Sequence, residues 1–265
     1  MKSKLPSMHK KIVPLFVSLF CFQAFCFADY YIDRVTGRGL GLDGSETNKL
    51  RVIDIREWNY VIEEKGGTKS KPGTRELHRN SYVITFNENQ IQKEVQRIAD
   101  DTMEEGLENQ VFIVLNVNSG EVFAIRDWIP EFRTKKEIVI NTYGVGSNSA
   151  PRVGEGLMLL GQLHGHPKEM AEDLRNIRTV SEFDIEVAKE LGITIFAVDA
   201  FNSYEIFVSG KSVKNSRALH IHSVEENGVT KNFIGQTFGK NGLNTFDFST
   251  YFDSILRTDK SVEIL

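Results

Sequence analysis

The 265-residue chain has only two cysteines, Cys21 and Cys26, and none beyond residue 26. Past that point disulfides are excluded, and any metal site must be built from His, Asp and Glu. A second long apolar run is also missing, so no membrane-spanning helix is expected in the body of the protein. There is no excess of base either: 32 Lys and Arg face 36 Asp and Glu, a net charge of −4. That balance argues against nucleic acid as a partner, because phosphate binding needs a basic footprint. Internal repeats and low-complexity segments are absent too. What remains is one large domain, or one domain with a small attachment, and 40% apolar residues suffice for its core.

The first 28 residues form a unit of their own. MKSKLPSMHKK is basic, IVPLFVSLFCFQAF is apolar, and Cys26-Phe27-Ala28 places small residues at the −3 and −1 positions of a cleavage site. That order is a secretory signal peptide over 1–28. An uncleaved anchor is the alternative, although the apolar run is short for a span. Met8 is an alternative start, which leaves MHKK as the basic part. Phe20 and Phe25 stand where a lipobox needs a small residue, so a lipoprotein is not expected. Cleavage after Ala28 removes four lysines and no acids, leaving 28 basic and 36 acidic residues, net −8. The expected product is secreted or periplasmic, soluble, and without stable membrane insertion.

Residues 29–80 are rich in turn signals, with short strands at DYYIDRV and LRVIDI and a Lys/Gly/Pro linker near 65–75. They read as a small β-rich N-terminal extension. From Ser81 the texture changes, and residues 81–265 read as the main domain. SYVITF is a strand. A helix follows, with Ile91, Val95, Ile98 and Met103 at helical spacing and Asn87 or Asn89 as cap. VFIVLNV, an Asn-Ser-Gly turn and EVFAIRDW make a β-hairpin, and EIVINTY and GLMLLGQLH are further strands. SEFDIEVAKELG is a helix capped by Ser181 and stopped by Gly192, before the strands ITIFAVDA and YEIFVSG. Helices packed between strand pairs predict an α/β or α+β fold around one sheet.

GQLHGHP, residues 161–167, holds the chemistry. Residues i and i+2 of a strand share a face, so His164 and His166 project together. Two imidazoles begin a metal site, and a catalytic zinc usually takes a third protein ligand plus water. Ser181 and Asp184 lie three apart at a helix mouth, on one helical face, and Asp184 can complete a His-His-Asp set.

These residues carry a resemblance. His-x-His-Pro followed by Ser-x-x-Asp is similar to the signature of the JAB/MPN/JAMM metalloprotease fold, and the likeness covers residues 81–210. It implies a cytidine-deaminase-like sheet flanked by helices. It also implies that His164, His166 and Asp184 bind Zn2+ with water in the fourth position, the water's pKa being lowered toward neutrality. Glu108, which follows the 89–105 helix as the family's glutamate does, would be the general base. Ser181 would donate to the tetrahedral oxyanion. The implied substrate is a peptide or protein, cut at an amide or isopeptide bond. GQLHGHP, AVDA, VTKNFIGQTFGK and YYIDRVTGRGLGLDG also resemble the JAB-like toxin group of bacterial polymorphic toxin systems. That narrower likeness implies an effector with an immunity protein as partner. Lys168 to Val180 make a longer insertion before Ser181 than most JAMM enzymes have.

Rival readings are an inactive JAB-like binding module and a periplasmic hydrolase of cell-wall peptides. Glu155, in a Gly-rich turn, is a rival to Glu108 for the base role, and Glu104 and Glu105 close by at a helix end read as solvated charge. His220 and His222 form a second His-x-His with no carboxylate at recognisable spacing, so a plain polar pair is expected. Trp58 and Trp128 are expected to pack, and Asp199 to end its strand as a turn residue.

Overall fold

The computed structural model describes residues 28–126, 134, 138–144, 148–167, 181–199, 204–208, 222–226, 229–236 and 247–258. The signal segment to residue 27, the 168–180 insertion, Trp128 and His220 lie outside the described residues, as do the side chains of Asp199 and His222.

The architecture is mixed α and β, with two sheets. The smaller runs β2-β1-β3-β4, from β1 (Tyr30–Asp33), β2 (Gly39–Leu42), β3 (Leu50–Ile53) and β4 (Tyr82–Val83). Helices α1 (Ile55–Glu64) and α2 (Lys71–Asn80) close a small core of Tyr31, Ile53, Trp58, Val61 and Leu77. Trp58 packs as expected. The 65–75 stretch differs from the expected linker: it is the turn between two helices and the first turn of α2. Ser70 accepts from the Gly73 N–H as N-cap, and Pro72 falls in the first turn, where its missing N–H costs nothing.

SYVITF is also not one strand. It divides at Ile84, with β4 on the small sheet and β5 (Thr85–Phe86) on the large one. Ile84 is buried with Ile32, Leu50 and Val52 in the core that α3 (Glu88–Glu105) shares with the large sheet. The N-terminal segment is therefore fused to the main core through common side chains.

The large sheet runs β12-β13-β11-β10-β9-β6-β7-β5, with β8 (Arg152–Gly154) beside β9. Its strands are β6 (Asn109–Asn116), β7 (Glu121–Arg126), β9 (Leu157–His166), β10 (Thr194–Asp199), β11 (Tyr204–Val208), β12 (His222–Glu226) and β13 (Val229–Gln236). The pairs β9–β10 and β5–β7 are parallel, and the other pairs are antiparallel. EIVINTY forms no strand within its described part. Tyr143 makes an isolated bridge to Arg152 before the chain turns at Gly144, whose φ is +73°.

Helix α4 (Glu182–Leu191) covers one face with Ile185 and Ala188, against Phe112, Leu159, Ile195 and Ala197. Helices α3 and α5 (Phe248–Thr258) cover the other. The α3 stripe is Ile91, Val95, Ile98 and Thr102; Met103, expected in it, is exposed because it falls off the inward face. The Glu88 carboxylate accepts from the backbone N–H groups of Phe248 and Ser249, fastening the start of α5 to the start of α3.

Gly165 lies under α3. A Cβ there would fall 2.3 Å from Thr102 Oγ1 and 2.7 Å from Thr102 Cβ, so only glycine lets strand and helix approach. Gly165→Ala is expected to cost about 2 kcal/mol by overpacking, read as a lower urea midpoint, and Thr102→Ala in the same chain to recover part of the loss.

Candidate metal centre

Strand β9 runs to His166, so alternation sends Gln162, His164 and His166 to the α4 face and Leu163 and Gly165 to the α3 face. The register places Gln110 level with His164 and Asn109 level with Gly165. Glu108, just before β6, is thereby level with His166. Ala197 of β10 stands on the other side of His164. His164 and His166 are 2% and 1% exposed, so bulk water does not reach them freely.

The third group arrives from α4. Ser181 is its N-cap and Asp184 its N3 residue, joined in a reciprocal capping box. Asp184 Oδ2 accepts from the Ser181 N–H at 2.7 Å and from the Ser181 hydroxyl at 2.7 Å, while the Asp184 N–H donates to Ser181 Oγ at 3.2 Å. Asp184 Oδ1 is left 3.3 Å from His164 Nε2, and Oδ2 lies 3.7 Å from His166 Nε2. The Ser-x-x-Asp spacing thus starts a helix and aims a carboxylate at once. In this arrangement Ser181 spends its proton on Asp184, so it orients that carboxylate; donation to an oxyanion requires the proton to turn toward substrate.

His164 Nε2 and His166 Nε2 lie 2.8 Å apart. Two neutral imidazoles facing each other with lone pairs at that separation repel, so a proton or a metal cation must be shared between them. Tetrahedral bonds of ~2.1 Å to zinc put two nitrogens about 3.4 Å apart, so the rings need to open by roughly 0.6 Å to fit that ion. The set His164, His166 and Asp184 offers its donor atoms within 4.8 Å of one another, and three protein ligands of this chemistry fit a zinc centre.

A chain of amides fixes the first imidazole. The Val139 carbonyl can only accept, so it takes the Gln110 Nε2–H at 2.9 Å. Gln110 Oε1 then accepts from Gln162 Nε2 at 3.0 Å, and Gln162 Oε1 faces His164 Nδ1 at 2.9 Å. His164 must therefore donate from Nδ1, which turns Nε2 toward the centre, the arrangement metal-binding histidines use. Neither glutamine was anticipated as a site residue. Gln162 was legible in principle, two residues before His164; Gln110 required the register of a separate strand.

Burial works against a charged His164, yet the Asp184 charge and hydrogen bond, helped by the buried Glu108, raise its pKa above the ordinary value. Burial likewise works to raise Asp184, but His164, His166 and Ser181 together hold it well below the usual carboxylate range. Glu108 is buried, whereas Glu104 and Glu105 are exposed at the end of α3 and Glu155 is exposed in the β8–β9 turn. Among the glutamates considered, only Glu108 is placed to act on the imidazoles.

No protein-family model matches the chain, and no curated protein does. The side-chain geometry is what bears on function.

The pKa directions set the expected pH behaviour. A raised His164 pKa stabilises the metal-free fold below the ordinary histidine range, and that stability is lost as pH rises through the folded-state value. Asp184 acts in the opposite sense, stabilising above the ordinary carboxylate range and failing as pH falls. Metal must displace the His164 proton, so zinc affinity is expected to rise about tenfold per pH unit until that proton is gone, then level off. Chelator competition at several pH values measures this, and Gln162→Leu is expected to bind zinc roughly 10–100-fold more weakly.

Proposed function

We propose that the chain is a zinc-dependent hydrolase of peptide or isopeptide bonds, with the cytidine-deaminase-like arrangement of the JAB/MPN/JAMM fold. The observation that carries this reading is the convergence of two buried imidazoles and a helix-capping carboxylate, with a second buried carboxylate, Glu108, level with His166 on the same sheet face. His164, His166 and Asp184 would hold the ion. Zinc in such a set supplies Lewis acidity and lowers the pKa of a coordinated water toward neutrality.

The remaining steps belong to the chain. Gln110 and Gln162 hold His164 in its Nδ1–H form. Ser181 and the first turn of α4 hold Asp184 ionised, with the helix N-terminus favouring the negative charge. Glu108 accepts the proton of the attacking water and returns it to the leaving amine. Its burial keeps that proton in the site. The Ser181 hydroxyl, released from Asp184, would donate to the carbonyl oxygen as it gains charge. With the signal peptide expected over residues 1–28, the working place is outside the cytoplasm, where a protein or cell-wall peptide is the substrate and an effector role the narrower reading.

Glu108→Gln separates binding from catalysis. The variant is expected to keep its zinc while hydrolysis of quenched amide and isopeptide substrates falls about 10²–10⁴-fold. Undiminished turnover in that variant would remove Glu108 from the mechanism.

A further inference from the structure

A second trio of candidate ligands meets among the described residues: Asp29, Asp43 and His78. Its carboxylates are already engaged. Asp29 Oδ1 accepts from Thr47 Oγ1 and from the Lys49 N–H, and Oδ2 accepts from Arg51 Nε. Asp43 Oδ1 accepts from the Ser45 N–H and hydroxyl, and Oδ2 from the Tyr31 hydroxyl at 2.9 Å, with His78 Nε2 at 3.0 Å. A metal ion there would have to displace the Arg51 guanidinium.

The backbone nitrogen of Asp29 faces two acceptors. It lies 3.0 Å from Asp43 Oδ1 and 3.0 Å from Ser45 Oγ. A peptide amide has one proton for these two acceptors, whereas an ammonium group has three. The charges point the same way. Asp29 and Asp43 are 0% and 2% exposed, and their cationic partners are Arg51 and the His78 imidazole, 3.3 Å from Asp29 and 3.0 Å from Asp43, which carries charge only when protonated. Buried carboxylates call for matched positive charge.

We propose that cleavage between Ala28 and Asp29 creates an α-ammonium group that is bound by the Asp43 carboxylate and the Ser45 hydroxyl, so that this cluster is the receptor for the mature N-terminus. The inference rests on the signal cleavage expected from the sequence and is independent of the metal reading. Hydrolysis by an export-linked peptidase adds one water across the amide. Ala28 leaves with the new carboxylate, and the Asp29 nitrogen takes up a proton and gains its charge. Asp43 then has an ammonium group beside it as well as the His78 imidazole. The effect reaches the main core, because β1 lies between β2 and β3 and contributes Ile32 to it.

The test uses the full chain, exported from a bacterial host, with the N-terminal peptide read by mass spectrometry after amine acetylation at pH 7. The peptide is expected to begin at Asp29, and its α-amine to react about tenfold or more slowly in the native protein than in urea, as expected of a group reached only by opening. Asp43→Asn and the milder Ser45→Ala are each expected to restore rapid labelling in protein that stays folded. A first residue other than Asp29 would overturn the proposal. So would native labelling as fast as in urea, or protection that survives both substitutions.

Discussion

Two imidazole nitrogens 2.8 Å apart and nearly shut off from bulk water need a proton or a metal ion between them. Much of the local design serves that requirement. Asp184 is held at the mouth of α4 by a capping box, so its charge is available without the entropy of a free side chain. The two glutamines fix one imidazole against a backbone carbonyl. Glu108 adds negative potential from the neighbouring strand. Without a shared proton or metal ion, two lone pairs would face each other in a buried site, which folded proteins avoid.

The sheet can carry such a cluster because β9 does two jobs by alternation. Its Leu163 and Gly165 belong to the α3 side, where Gly165 admits Thr102. Its Gln162, His164 and His166 belong to the α4 side. A register shift at Ile113/Val114 divides β6 and β9 into two zones. Before it in β9, Leu159 pairs with Val114 on the apolar ground beneath α4; after it, Phe112 still faces Gln162, and the next pairs on the α4 side, Gln110–His164 and Glu108–His166, are polar. The apolar zone anchors α4, and the polar zone receives the carboxylate that α4 delivers.

Local periodicity explains what the sequence made legible. His164 and His166 share a face by the period of two, Ser181 and Asp184 by the helical turn, and the structure brings all four together. Non-local features were not legible. Gln110 enters the site only through the register of β6 on β9, and SYVITF divides between two sheets because β3 and β7 both offer it an edge. Thr102, not Met103, completes the α3 stripe because positions 91, 95, 98 and 102 share the inward face, and Thr102 there meets Gly165. Helices α1 and α2 were hidden by glycine and proline that mark a helix boundary as readily as a loop.

The central claim is that His164, His166 and Asp184 together hold one metal ion. Elemental analysis of purified protein after zinc loading and desalting tests it most directly, with His164→Ala and Asp184→Ala in parallel and circular dichroism to verify folding. About one zinc per wild-type chain, lost in both variants, is the expected result for a three-ligand site. Folded wild-type protein that retains no zinc, or zinc that persists in both variants, would contradict the account.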